Sequence, residues 1–349
     1  SSRSRKTTNA TVSPSGSTPP LQDRAGPGRT AAASWAGSGV NGALGAWFVL
    51  LTLAPACAQP APGVPAADSY TAETTYKKLV REYPFIRIAS REVPASVVAV
   101  RNITYVTYGN RALQLDLYLP AERGGKAVPA IVFVHGGGWR SGVRDNFAAM
   151  AIRMAERGYA SATISYRLSP EAPYPAAIHD VKAAIRWMRT NAARYGVDAG
   201  RIAVAGGSAG GQIASLAGVT NEIARFDPGS AQQGAVSSAV QAIVNIDGLS
   251  DFTSEEVRKY EDDPAKKPSS AGAWFGGRYA EKEALWREAS PTFYVSAGTP
   301  PVLFIGSGQA RFSVGRDAMV KKMDALGVPS RVVLLPGTPH SFWLFDPWL

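Results

Sequence analysis

From residue 97 onward the chain alternates between short apolar runs bounded by turn residues and amphipathic stretches of helical period. Residues 102–108 and 113–119 read as a hairpin of strands. Leu113, Leu115, Leu117 and Leu119 alternate with Gln114, Asp116 and Tyr118, and a two-residue period lines one face of a strand. The runs 130–134, 160–165, 202–205, 242–246, 302–305 and 332–335 are rich in Val, Ile, Leu and Ala without alternation, the texture of strands covered on both faces. Between two of them, within residues 177–193, Ile178, Val181, Ile185 and Met188 fall on one helical stripe. Strand–helix alternation of this kind predicts an α/β fold, a mainly parallel doubly wound sheet flanked by helices.

The alternation breaks between the sixth and seventh strands, 242–246 and 302–305. Residues 251–295 there are charged and aromatic, with Trp274, Phe275, Tyr279, Trp286 and Phe293. A helical insertion at this point stands above the carboxyl ends of the strands, where it can serve as a lid or substrate wall; alternatively it is an ordinary elaboration packed on the core by its aromatics. Upstream, residues 59–67 form a Pro/Ala linker and residues 72–82 predict a short surface helix with no assigned role. The expected organisation is therefore a linker and N-terminal segment at 59–96 and the main domain at 97–349, with 251–295 as the lid-like insertion.

Residues 1–58 differ in texture. Residues 1–40 are rich in Ser, Thr, Gly and Pro and lack apolar periodicity, a composition that predicts disorder. The apolar run 43–54 is too short to span a bilayer comfortably. It follows Arg24 and Arg29 and ends in Pro55-Ala-Cys-Ala58, where Ala56 and Ala58 supply the small residues of an A-x-A cleavage site. The segment reads as a secretory signal, so the expected location is secreted or periplasmic, with no stable membrane insertion once the signal is removed. An uncleaved anchor at 43–54 is the alternative.

Composition narrows the chemistry. The 349 residues are 45% hydrophobic, enough for one large core. Of the formal net charge of +10, residues 1–58 contribute +4 through Arg3, Arg5, Lys6, Arg24 and Arg29 against Asp23, leaving +6 for the rest. So mild a basic excess keeps a protein soluble and also suits acidic polymers such as uronate-containing polysaccharides; it makes no case for a nucleic-acid partner. A single cysteine, Cys57, excludes an intramolecular disulfide and a Cys-based zinc cluster. Only three histidines are present, so His-dependent chemistry has few possible bases.

Three segments carry that chemistry. A strand leads into Gly206-Gly207-Ser208-Ala209-Gly210 and then into helical sequence, the strand–turn–helix context that the G-x-S-x-G motif requires. A sharp turn lifts the Ser208 hydroxyl off the sheet, and the close approach of strand and helix demands glycine at 206 and 210. Upstream, Ala130-Ile-Val-Phe-Val-His-Gly-Gly-Gly-Trp139 turns backbone N–H groups outward after a buried strand. The amides of Gly137, Gly138 and Ala209 form an expected oxyanion hole. Near the end, Arg331-Val-Val-Leu-Leu-Pro-Gly-Thr-Pro-His340 delivers a histidine into a loop after the last strand, where a neutral imidazole can take the serine proton. His135 is expected to hold its loop and His179 to pack or cap at a helix start.

His135-Gly-Gly-Gly-Trp139, Gly206-Gly-Ser-Ala-Gly210 and Pro339-His-Ser-Phe-Trp343, spread over residues 97–349, resemble the hormone-sensitive-lipase-like and feruloyl or acetyl esterase (BD-FAE-like) branches of the α/β-hydrolase superfamily. Tyr166-Arg-Leu-Ser-Pro170 and Tyr174-Pro-Ala-Ala177 are similar to family segments as well. The resemblance implies an α/β-hydrolase fold, Ser208 as nucleophile and His340 as base, with no cofactor or metal. It also implies an aspartate about four residues beyond the strand at 302–305, yet Gly306-Ser-Gly-Gln-Ala-Arg311 carries no carboxylate. Asp317 lies at a helix start, where a carboxylate ordinarily stabilises the helix end, and Asp251 at the start of the insertion. Asp247, in Ile246-Asp247-Gly248, stands at the end of a strand, as the acid of some lipases does, and is favoured over Asp317.

The expected activity is hydrolysis of carboxylic esters through an acyl-enzyme, on acetyl or feruloyl esters of plant polysaccharides or on small acyl esters. An arylformamidase-like amidase and a non-catalytic binding protein are the rivals, the latter supported by the missing acid. Hydrolases of this kind usually close with a helix after the histidine loop, whereas nine residues follow His340; a truncated chain or an unusually short terminus is expected. Nothing in the sequence bears on the oligomeric state.

Overall fold

The structure, a computed structural model, describes residues 69–228 and 236–349. The expected signal at 43–58 and the linker at 59–67 lie outside the described residues. The elements run α1 (Ala72–Leu79), β1 (Arg87–Ile88), β2 (Val97–Tyr108), β3 (Arg111–Pro120), β4 (Val128–Val134), α2 (Ala148–Glu156), β5 (Ala160–Ile164), α3 (Ala176–Thr190), α4 (Ala192–Tyr195) and β6 (Val197–Gly207). They continue α5 (Ala209–Val219), β7 (Ala242–Ile246), α6 (Glu255–Glu261), α7 (Ser270–Phe275), α8 (Tyr279–Glu288), β8 (Val302–Gly306), α9 (Arg316–Ala325), β9 (Ser330–Leu334) and β10 (Phe345–Asp346). No helix among the described residues is long and apolar enough to cross a membrane.

Eight strands form one sheet in the order β2-β3-β5-β4-β6-β7-β8-β9. The pairs β2/β3 and β3/β5 are antiparallel, and every pair from β5/β4 through β8/β9 is parallel. All eight runs recognised in the sequence are strands of this sheet. The expected alternation in β3 is only half realised. Leu113, Leu115, Leu117 and Leu119 are buried, and so are Asp116 and Tyr118. Arg144 pairs with Asp116 and Tyr118 packs with Phe147 and Ala148 in a second apolar layer, so the other face of this strand is covered too. At β9, by contrast, Val332 and Leu334 are exposed, because this strand is the sheet's edge and lacks a neighbour.

The boundary expected at residue 97 is not a structural division; from residue 69 the described chain is part of one compact unit. Instead of a free surface helix, α1 packs with β1 on the tail that follows the last strand. Arg87 and Ile88 pair with Asp346 and Phe345, and Ala72, Ile86, Phe342, Trp343, Leu344 and Phe345 share one apolar cluster. This N-terminal segment covers the sheet face beside the histidine loop. Burying the tail there keeps its apolar area from water, at about 25 cal/mol per Å².

Residues 251–295 form α6, α7, α8 and a short turn. Most of their aromatics point inward, Tyr260 being the exposed exception. Trp274, Phe275 and Trp286 are buried in the main core, and Trp274 stacks on Trp139 at 5.0 Å between ring centroids. The buried aromatic side chains therefore serve packing, while the insertion turns the polar Glu261 and Ser270 to the cavity.

Candidate active site

Ser208 stands between the end of β6 and the first residue of α5 with φ +58° and ψ −126°, a backbone conformation that costs an L-residue about 1–3 kcal/mol unless its surroundings enforce it. Two close approaches enforce it here. A Cβ on Gly206 would lie 2.2 Å from the Gly210 carbonyl oxygen, and one on Gly210 would lie 2.1 Å from the Val134 oxygen. The Ser208 amide donates to the Ile246 carbonyl (2.8 Å), which ties the turn to the neighbouring strand β7.

The sheet order sets the rest. Asp247 leaves the end of β7, and its amide donates to Ile305 of β8 (2.9 Å). His340 follows β9. Its Nε2 lies 2.8 Å from Ser208 Oγ and its Nδ1 lies 3.0 Å from Asp247 Oδ2. The Asp247 carboxylate, a pure acceptor, accepts the hydrogen bond of Nδ1–H, leaving Nε2 unprotonated to accept from the serine hydroxyl. The other Asp247 oxygen accepts the amide of Ser307 (2.8 Å), and the side chain is 0% exposed. The loop after β8, which lacks a carboxylate of its own, thus supplies the amide that fixes the one on β7. Burial lowers the proton affinity of His340, and the nearby Arg311 charge acts the same way, against the hydrogen bond and charge of Asp247, which raise it.

Asp317 does not reach the site. It opens α9 with its side chain 84% exposed and paired with Arg316. Asp251 accepts from the amide and hydroxyl of Thr253 in a local turn.

The loop after β4 forms the opposite wall. Gly137 and Gly138 have φ of +120° and +59°, and among the described residues no N–H of Gly137, Gly138 or Ala209 donates a hydrogen bond. All three residues line the cavity beside Ser208. Trp139 is left-handed as well. Its indole donates to Gln212 (2.9 Å) and stacks on Trp274, which holds the unfavourable backbone. His135 is buried, with Nδ1 2.8 Å from the Gly136 oxygen and its ring stacked on Tyr166. Burial pushes its pKa down to about 4. It holds the loop and faces away from proton transfer. His179 lies half-buried in the first turn of α3, where burial also lowers its proton affinity.

The cavity, about 370 Å³, is also lined by residues that the sequence did not single out: Tyr70 and Lys78 from the N-terminal segment, Leu249, Glu261, Ser270 and Phe312. Phe312 stacks on the His340 imidazole at 3.4 Å and 12°. Burial raises the Glu261 carboxyl above its ordinary pKa. No local motif marks these positions; each comes from an element whose proximity to Ser208 depends on the whole chain path. Among the described residues no cluster of three His, Cys, Asp or Glu side chains could hold a metal ion.

Over residues 115–316 the chain matches the protein family described as BD-FAE. It is 34% identical over 240 residues to Esterase LipQ of Mycobacterium tuberculosis, covering 67% of this chain and 55% of that protein. It is 32% identical over 272 residues to Esterase LipC of the same organism, covering 74% and 65%. The chain therefore spans between about half and two thirds of the length of these relatives. Among solved structures, the thermophilic esterase Est2 of Thermogutta terrifontis aligns with a TM-score of 0.58 at 25% identity, over 72% of this chain and 86% of that one.

Proposed function

The chain belongs to the BD-FAE family and has an α/β-hydrolase fold, and from that premise we propose that it hydrolyses carboxylic esters through an acyl-enzyme on Ser208. The observation that carries this reading is the unbroken chain of hydrogen bonds from Ser208 through His340 to Asp247, opening on a cavity lined by Gly137, Gly138 and Ala209. Ser208 Oγ attacks the acyl carbon as its proton passes to His340 Nε2. The carbonyl oxygen becomes an oxyanion facing the three free N–H groups, each such donor being worth about 2.7–4 kcal/mol. The imidazolium, stabilised by Asp247, returns the proton to the departing alcohol. Water then attacks the acyl-enzyme, giving its proton to His340, and the acid leaves as Ser208 recovers a proton.

The substrate reading is acetyl or feruloyl esters on plant polysaccharides, with small acyl esters as the simpler case. Its support is the character of the walls. Beyond the apolar Leu249 and Phe312, the cavity presents Ser69, Tyr70 and Lys78 from the N-terminal segment and Glu261 and Ser270 from the insertion, groups that can hydrogen-bond a hydroxyl-rich alcohol better than a lipid chain. A non-catalytic reading loses its main support, because Asp247 stands where the loop after β8 offers no acid. Export through the segment at 43–58, giving a secreted or periplasmic protein, belongs to the same proposal.

The test is p-nitrophenyl acetate hydrolysis by the wild type and by Ser208→Ala, together with intact mass after reaction with a p-nitrophenyl phosphonate. The wild type is expected to turn over and to gain one phosphonyl group, and the variant to do neither. Equal background rates and an unmodified Ser208 would sink the assignment; turnover of N-formylkynurenine with inert esters would transfer it to amide chemistry.

A further inference from the structure

The helix at residues 72–79, without a role at the level of sequence, sits at the active site. Its N-terminal neighbour Tyr70 places its hydroxyl 2.7 Å from Ser341 Oγ, one of the two donating to the other, across 271 residues of chain. Ser341 is the residue after His340. It is buried and left-handed, with φ +74°, a conformation that serine keeps only where neighbours impose it. The Ser341 carbonyl accepts the amide of Leu344 (3.1 Å) and the Pro339 carbonyl accepts that of Phe342 (3.2 Å), so Ser341 stands inside the turn that carries the imidazole.

Tyr70 is itself fixed. Its carbonyl accepts from Asn146 Nδ2 (2.9 Å), Arg91 joins Glu73 of the helix to Asp145, and Tyr76 packs against Phe345. Burial raises the phenol far above its ordinary pKa, so it remains a neutral hydroxyl throughout the range in which an esterase works. A rigid group from one end of the domain therefore pins the residue beside the base at the other.

We propose that Tyr70 is a positioning residue for His340, acting through Ser341 to hold the imidazole on the Ser208 hydroxyl. The proposal rests on the reading of Ser208, His340 and Asp247 as an esterase triad. Tyr70 also lines the cavity, so the experiment must separate orientation of the base from contact with substrate.

Three variants do so: Tyr70→Phe, Ser341→Ala and the two combined, each first checked for folding by circular dichroism and thermal melting. Displacing a reacting group by a fraction of an ångström costs rate before affinity. Tyr70→Phe is therefore expected to lower kcat on p-nitrophenyl acetate roughly tenfold or more with KM within about twofold. Ser341→Ala should do the same, and the double variant should be no worse than the weaker single one, since both remove one bond. The downfield proton resonance of His340 Nδ1–H should broaden or shift in each. An unchanged kcat, a change confined to KM, additive losses, or an unchanged resonance would overturn the proposal. If Tyr70→Phe does not fold, Ser341→Ala alone decides by the same kcat and resonance criteria. A wild type that neither hydrolyses esters nor takes the phosphonate would instead refute the esterase reading, and the resonance would still report whether Tyr70 holds the imidazole.

Discussion

Asp247 and His340 meet at 3.0 Å although 93 residues separate them, and the carboxylate is held from its other side by the amide of Ser307. Asp247 thus stands at the end of the strand adjacent to the one that leads into Ser208, where we propose it serves as the triad acid, and the next strand's loop supports it.

Asp247→Asn keeps the shape of the side chain but offers Nδ1 an amide that can impose the wrong imidazole tautomer. We expect kcat to fall by about 10⁴, the size seen when a triad aspartate is so changed in serine proteases. Asp317→Asn, on the solvent-exposed start of α9, should leave kcat within about twofold. Steady-state rates of the two variants on p-nitrophenyl acetate check this; a large loss at Asp317 alone would move the acid.

The pH profile follows from the state of His340. Only neutral imidazole can accept the serine proton, and burial with the nearby Arg311 charge holds its pKa below the ordinary value. Activity is therefore lost as pH falls through that lowered pKa, and the acid limb of kcat/KM should lie below about 6.5. Asp247 raises the pKa, so Asp247→Asn should carry the limb lower still. A limb above 7 in the wild type would contradict this.

Glu261 tests the substrate reading. A half-buried carboxyl in the cavity wall can bond a substrate hydroxyl, and a bond to a charged group is worth about 1.5–3 kcal/mol. In Glu261→Gln the ratio of kcat/KM for an acetylated xylo-oligosaccharide to that for p-nitrophenyl acetate should fall roughly tenfold, about 1.4 kcal/mol. An unchanged ratio would remove Glu261 from recognition of the alcohol.

His135 should make stability depend on pH. Its folded pKa of about 4 lies below the unfolded value of about 6.5, so between the two the unfolded chain binds more protons. The native state keeps its full stability above about pH 6.5 and loses on the order of 3 kcal/mol from this group as pH falls toward 4. Comparing urea midpoints of the wild type and His135→Asn across that window isolates the effect. Parallel curves would mean that His135 protonates without cost.

The strands, the turn at Ser208, the glycine loop and the delivery of His340 were all legible in the sequence, because each is a local matter. A strand's burial shows in its own period, and Gly206 is demanded by a clash with Gly210 within five residues, while Gly210, whose own clash is with the distant Val134, is marked by the motif. The acid was not decided locally, since Asp247, Asp251 and Asp317 all follow or open regular elements. The pairing of Ile246 with Ile305 brought Ser307 to Asp247 and left Asp317 in solvent. The same holds for the cavity walls. Tyr70, Glu261 and Phe312 have no motif, and the aromatic insertion read equally as wall or packing until the core took Trp274 and Trp286 and left Glu261 and Ser270 facing the site. Residue identity and spacing determined which side chains can carry the proposed chemistry; which carboxylate, phenol and ring surround them was decided only by contacts between segments too distant in sequence to leave a periodic trace.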